Sequence, residues 1–262
     1  MGAPGSFPRR LGAPTLAALM LAAAVPAAAW PADLSRLLGR DALRLVPRSL
    51  AHLLSEREEL LLERSQRLPP ALTRALAADH AAGRLSPATL AEISSELDAV
   101  VALLRGRGVS EGLERLGALQ RIPADLSDPV LQSGAAGYPP GVAAEYYALV
   151  AARLDRIPVV LDDPSALELS RAELPGYWQR LLDRSRPQAA VIRTELFRNG
   201  RVVEQSRIDF RNPAFGVASM SYSRAVTAIA ATWLAVWREA GGDLTRQPVP
   251  RVVEPRTEGD GR

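Results

Sequence analysis

Apolar residues recur at helical spacing through most of this chain, in blocks cut off by prolines. That punctuation restricts it to a set of short, packed helices. Leu34, Leu37, Leu38, Ala42 and Leu45 form one stripe, stopped by Pro47. A second runs through Leu50, Leu53, Leu54, Leu60 and Leu61, with Glu56, Arg57, Glu58, Glu59, Glu63 and Arg64 on the wet faces. Pro69-Pro70 closes that block and opens a short helix ending near Gly83. Ser86-Pro87 is a strong helix start, because the hydroxyl caps and proline fits the first helical position without losing a needed donor. Leu90, Ile93, Leu97, Val100, Val101 and Leu104 follow as the most regular apolar face, and Gly106 and Gly108 break it. The pattern resumes over 109–119, with Leu113, Leu116 and Leu119 on one side. A turn-rich passage leads to a helix expected over 142–157, burying Val142, Tyr146, Leu149, Val150 and Leu154. Asp163-Pro164 starts a short helix, and Pro175 precedes one carrying Tyr177, Trp178, Leu181 and Leu182.

The texture then changes. Residues 190–197 and 202–210 flank Arg198-Asn-Gly-Arg201, and Asn-Gly is the strongest short signal for a tight hairpin. Polarity alternates poorly there, so the segment predicts a partly exposed two-stranded ribbon. Residues 219–240 read as a long alanine-rich helix with Val226, Ile229, Ala230, Trp233, Val236 and Trp237 facing one way, ended by Gly241-Gly242. The expected fold class is mainly α, a multi-helix bundle with a small β-hairpin near the C-terminus. Residues 30–242 form its one domain, and residues 243–262 are expected to be a disordered tail.

Residues 1–29 have the pattern of an export signal: Arg9-Arg10, a short apolar run over 16–25, and a small-residue cleavage site at Ala27-Ala28-Ala29. The run is shorter than the ~20 residues that span a bilayer. The processed chain therefore has no expected transmembrane segment, and its expected location is periplasmic or extracellular. There are no cysteines, so an exported chain of this kind has neither disulfides nor thiolate metal sites. All 32 basic residues are arginine; without Arg9 and Arg10, 30 arginines face 29 acids. Near-neutrality without basic blocks argues against specific nucleic-acid binding.

Residues with chemistry are sparse. The chain has two histidines, His52 on the apolar side of a helical turn and His80 beside Asp79 in the helix before Gly83. Asp162-Asp163 is either a hard-cation site or, more simply, a helix cap before Pro164. Ser219, Ser221 and Ser223 lack a recognisable histidine partner, and there is no Gly-x-Ser-x-Gly elbow. Gly106-Arg-Gly108 lacks the strand-turn-helix setting of a phosphate loop. Helical spacing places Trp233 and Trp237 in the core rather than in a ligand groove.

Leu116-Gly-Ala-Leu-Gln-Arg-Ile-Pro-Ala-Asp-Leu-Ser-Asp-Pro129 resembles the helix-to-loop stretch of zinc-dependent phospholipases C and the related single-strand nucleases. Those enzymes place a His four residues before an Asp, then a proline and a further His; residues four apart share a helix face and can grip one metal. Here the Asp position is Asp125 and the proline is Pro129, but Arg121 and Leu131 stand at the two histidine positions. An arginine is permanently protonated and a leucine has no lone pair. The family begins its processed chain with a metal-binding Trp, matched by Trp30. Its helical His and acid four residues apart fall on Ala143 and Tyr147, and its Leu-Pro-Asp falls on Pro70. The likeness spans residues 30–157.

The resemblance implies a phospholipase C/nuclease-like bundle that has lost hydrolytic activity. No metal or other cofactor is expected, and Trp30, Asp79, His80, Arg121, Asp125 and Tyr147 are the vestigial site. The ligand or partner would be a small molecule, a lipid or an envelope protein. An alternative keeps phosphodiester or phospholipid hydrolysis on a reduced zinc site of Trp30, Asp79, His80 and Asp125. A third reading is an envelope interaction module that uses the hairpin and the Trp-bearing last helix. From the residues alone, the simpler reading is a packed His52, a helix-terminal His80 favoured by the dipole and Asp125 as a turn cap.

Overall fold

A computed structural model describes residues 30–56, 68–134 and 137–244. The proposed signal, residues 57–67 with the end of the second apolar stripe, and the tail from 245 lie outside the described residues. Prolines and small caps set the boundaries much as the pattern predicts. α1 (Ala32–Ala42) runs into a tight turn at Leu43–Leu45, and Pro47 precedes α2 (Arg48–Ser55). α3 (Pro70–Ala82) closes on Gly83 at φ 69°, where the Arg186 guanidinium crowds the space a Cβ would take. Glycine is needed there for the left-handed backbone, since the tip of the flexible Arg186 side chain can move aside. α4 (Pro87–Arg105) starts where the Ser86 hydroxyl accepts the Thr89 N–H at 3.1 Å. α5 (Val109–Leu119) and the short α6 (Arg121–Ser127) follow, then α7 (Val142–Ala152), α8 (Leu174–Leu196) and α9 (Pro213–Glu239).

The architecture is mainly helical, with one small antiparallel hairpin towards the C-terminus. α9 is its axis. Every residue from Ala225 to Val236 is buried, and α1, α4, α6, α7 and α8 all pack against it. A helix apolar on every side belongs in an interior, and the alanines at 225, 228, 230, 231 and 235 let neighbouring helices approach closely. Buried indoles are satisfied as they must be. Trp233 donates to the Leu116 carbonyl at 2.9 Å and Trp178 to the Thr232 hydroxyl at 3.4 Å. No helix among the described residues is long and apolar enough to cross a membrane.

Three boundaries differ from the sequence expectation. α7 stops at Ala152 and gives way to a single 3₁₀ turn, because Pro158 removes the helical option for Ile157. α9 begins at Pro213 rather than 219: the Asn212 side chain accepts the Ala214 N–H at 2.8 Å, and proline suits the first turn. The expected strand over 190–197 is instead the end of α8, a 23-residue helix containing Pro187. Ser185, Gln188, Ala189, Ile192 and Leu196 face inward at helical spacing, while Pro187 lies on the exposed side. Only the hairpin tip survives as strand. β1 (Phe197–Arg198) pairs with β2 (Arg201–Val202), with Phe197 opposite Val202. Asn199 at φ 51° and Gly200 at φ 74° form the left-handed turn that Asn-Gly favours.

Candidate functional site

α6 places a carboxylate inside the protein. Its residues from Ile122 to Ser127 are buried between α8 and α9, and the Ser127 hydroxyl folds back onto the Pro123 carbonyl at 2.8 Å. Asp125 is buried among them. Its Oδ2 accepts Arg121 Nε at 3.2 Å, one helical turn earlier, while its Oδ1 is buried without a hydrogen-bond partner among the described residues. The Arg121 side chain is 27% exposed against 7% for Asp125, so the guanidinium stands between the carboxylate and solvent. One residue beyond α6 lies a second buried acid. Asp128 accepts the Val130 N–H and the Tyr147 hydroxyl, both at 2.8 Å.

Trp30 and His80 complete the cluster. The Trp30 indole donates to the Ala124 carbonyl at 3.0 Å, and its ring lies among Tyr146, Tyr147 and Tyr222, with centroids 6.0–6.3 Å away. The Gln132 amide nitrogen lies 2.8 Å from His80 Nδ1 and 3.3 Å from the Asp125 carbonyl. That carbonyl can only accept, so the Gln132 nitrogen faces it and His80 Nδ1 also accepts. A neutral His80 therefore carries its proton on Nε2, which is buried without a partner among the described residues.

Burial dominates the electrostatics. It pushes Asp125 up to about 7, although the Arg121 charge and hydrogen bond pull the other way. Asp128 also rises to about 7 through burial, opposed by the Tyr147 and Val130 hydrogen bonds and reinforced by the Asp125 charge. Burial lowers His80, partly offset by Gln132, and raises Tyr146 and Tyr147 well above the phenol range. The cluster resists holding two negative charges at once, and one guanidinium is spent on it.

The residues present do not fit a hydrolytic zinc centre. Such a centre needs three protein ligands with free lone pairs facing one point. Arg121 occupies Asp125 Oδ2, and Gln132 occupies His80 Nδ1. Asp79 turns instead to the Ser86 N–H at 2.8 Å, tying the end of α3 to the start of α4. Among the described residues, no three His, Cys, Asp or Glu side chains gather to hold a metal.

Of the six residues predicted from sequence, the fold brings Trp30, His80, Arg121, Asp125 and Tyr147 into one cluster and leaves Asp79 at its edge. Asp128 and Gln132 belong to the same cluster but were not predicted. Their sequence signal was weak: an Asp before Pro129 reads as a turn residue until Tyr147 is seen to reach it. The expected packed His52 is corrected, since it is exposed and its Nε2 lies 3.1 Å from Glu56. Asp162 takes Arg184 and Arg224, and Asp163 caps Ser165. Ser221 and Ser223 donate to Gln188 and to the Pro158 carbonyl. Trp233 is core, whereas Trp237 on the same helix is only partly buried against it, its indole donating to the Asp243 carbonyl at 3.2 Å.

Arg121 also faces outward. It lies at the inner wall of a cleft of about 910 Å³ bordered by Leu68, Pro69, Thr73, Arg74 and Arg115, the last held by Glu111 at 3.0 Å and Glu96 at 3.5 Å. The guanidinium is thus a seam between an accessible cleft and the buried acid cluster. Comparison with known proteins finds no matching family model, no matching curated protein and no matching solved structure.

Proposed function

We propose that this chain is an exported, non-catalytic derivative of the zinc-dependent phospholipases C and nucleases, whose helical scaffold is kept for binding or structure. The observation that supports this reading is the Arg121–Asp125 pair. At the position where a metal-binding histidine would precede its aspartate, a guanidinium holds that aspartate at 3.2 Å. A fixed positive charge with directional donors stabilises a buried carboxylate without a metal, and it removes the lone pairs and open coordination position that hydrolysis requires. Trp30 seated on Ala124 keeps the start of the processed chain beside that pair. The cleft outside Arg121 is the place where a small molecule, a lipid headgroup or an envelope protein would be met.

The test is metal analysis of the purified protein. No stoichiometric zinc is expected, and two or more ions per chain would end the proposal. A second reading, phosphodiester hydrolysis on a reduced site of Trp30, Asp79, His80 and Asp125, draws on the buried and unpartnered His80 Nε2 and Asp125 Oδ1. It requires that His80→Ala abolish turnover of a nitrophenyl phosphocholine; unchanged turnover rejects it.

A further inference from the structure

The chain has two asparagines, Asn199 and Asn212, and the fold puts them in opposite chemical settings. Asn199 stands at the hairpin tip at φ 51°, followed by Gly200 at φ 74°, and both residues are exposed. The Asn199 carboxamide and the Gly200 N–H make no hydrogen bond among the described residues. A Cβ at Gly200 would meet nothing within 4 Å, so open space surrounds the nitrogen that follows the carboxamide. Asn212 is followed by Pro213, whose nitrogen carries no hydrogen. Its side chain is also held at both ends: the oxygen accepts the Ala214 N–H at 2.8 Å, and the nitrogen donates to Glu195 at 2.9 Å.

An asparagine carboxamide is open to attack by the backbone nitrogen of the next residue. At the hairpin tip, the Gly200 nitrogen loses its proton to hydroxide and bonds to Asn199 Cγ. The carboxamide nitrogen takes a proton from water and leaves as ammonia, which closes a cyclic imide. Water then adds to one of the two imide carbonyls and reopens the ring. One opening gives aspartate; the other gives isoaspartate, in which the main chain runs through the side-chain carbon. Glycine favours closure because no side chain crowds the attacking nitrogen and its backbone turns freely. Ring closure swings the Asn199–Gly200 peptide out of its hairpin orientation, so the rate follows how readily the tip opens. The ladder holding it is only Phe197 with Val202 and Arg198 with Arg201, short enough to open at little cost. We propose that Asn199 is a self-modifying site, converted through a succinimide to aspartate and isoaspartate without an enzyme, while Asn212 stays intact. Both products place a carboxylate between Arg198 and Arg201. Isoaspartate also lengthens the chain inside a two-residue turn, which the hairpin geometry does not accommodate.

The experiment is timed incubation of the purified protein, followed by cleavage at glutamate and mass spectrometry. That cleavage separates residues 196–204, with Asn199, from residues 205–239, with Asn212. Residues 196–204 should gain the mass of an amide-to-acid exchange as two isomers, one of them a substrate for an isoaspartyl methyltransferase, with ammonia released in step. Conversion should be about tenfold faster at pH 8 than at pH 7, because the reactive species is the deprotonated amide. The folded protein should convert within about tenfold of the rate of the chain unfolded in urea, as expected of a tip that opens easily. Asn199→Gly, which suits the left-handed backbone, should abolish the mass gain. A folded protein that does not convert while the unfolded chain does overturns the proposal. So does aspartate formed without isoaspartate, which means direct hydrolysis, or conversion at Asn212 as fast as at Asn199.

Discussion

Replacing Asp125 by Asn should make the protein more stable above neutral pH, the opposite of what removing an ion-pair partner usually does. Asp125 titrates near 3.8 when unfolded and near 7 in the fold, chiefly because burial penalises its charge. The folded value is the higher one, so the fold carries no penalty below pH 3.8. The penalty grows as pH rises between 3.8 and 7, and it is complete above 7. A displacement of that size corresponds to roughly 4 kcal/mol at the plateau. Relaxation and water entry around a buried charge reduce such costs, and Asn keeps an oxygen for Arg121, so a gain of about 2 kcal/mol at pH 8 is expected. The assay is urea unfolding of parent and variant at pH 8, 6 and 4. The stability difference should shrink steadily and approach zero at pH 4. A variant less stable than the parent at pH 8 would refute the argument, because it would mean the guanidinium more than repays the desolvation of the carboxylate.

Arg121→Met should cost roughly 1–3 kcal/mol at pH 8, where it strands an ionised Asp125, and clearly less at pH 5, where Asp125 takes a proton; parallel urea melts read both. Tyr147→Phe removes the hydroxyl held on Asp128 at 2.8 Å and should cost about 1–3 kcal/mol at pH 8, again fading in acid as Asp128 becomes neutral. Trp233→Ala, in the middle of the central helix, should cost about 3–5 kcal/mol at any pH, and thermal melting that shows no loss would contradict its place in the core.

The helices were legible where a local signal marked both ends. Pro70 with Gly83, Ser86 with Gly106, and Gly108 with Leu119 bound α3, α4 and α5 as expected. Legibility failed where tertiary packing overrode a breaker. Residues 190–197 were expected as a strand, yet the helix runs through Pro187 to Leu196 because Ile192 and Leu196 are buried at helical spacing. The hairpin turn was legible because Asn199 and Gly200 need no neighbours to favour their backbone angles; its strands were not, because two residues cannot establish an alternation. Trp30, His80, Arg121, Asp125 and Tyr147 were named from the sequence as candidate residues, and their partners were the harder part. The Gln132–His80 contact joins residues 52 apart, and Tyr147 reaches Asp128 across 19 positions. Only folding brings such pairs within reach.

The helix against which α1, α4, α6, α7 and α8 pack follows all of them along the chain, so the order of synthesis runs against the order of burial. Most of the cover for α1 comes from residues some 190 positions later, and the aromatic cage of Trp30 is not closed until Tyr222 exists. Closing loops of that length before any reward makes folding slow and late. A chain truncated before α9 would therefore be a sticky collection of half-finished helices rather than a smaller domain.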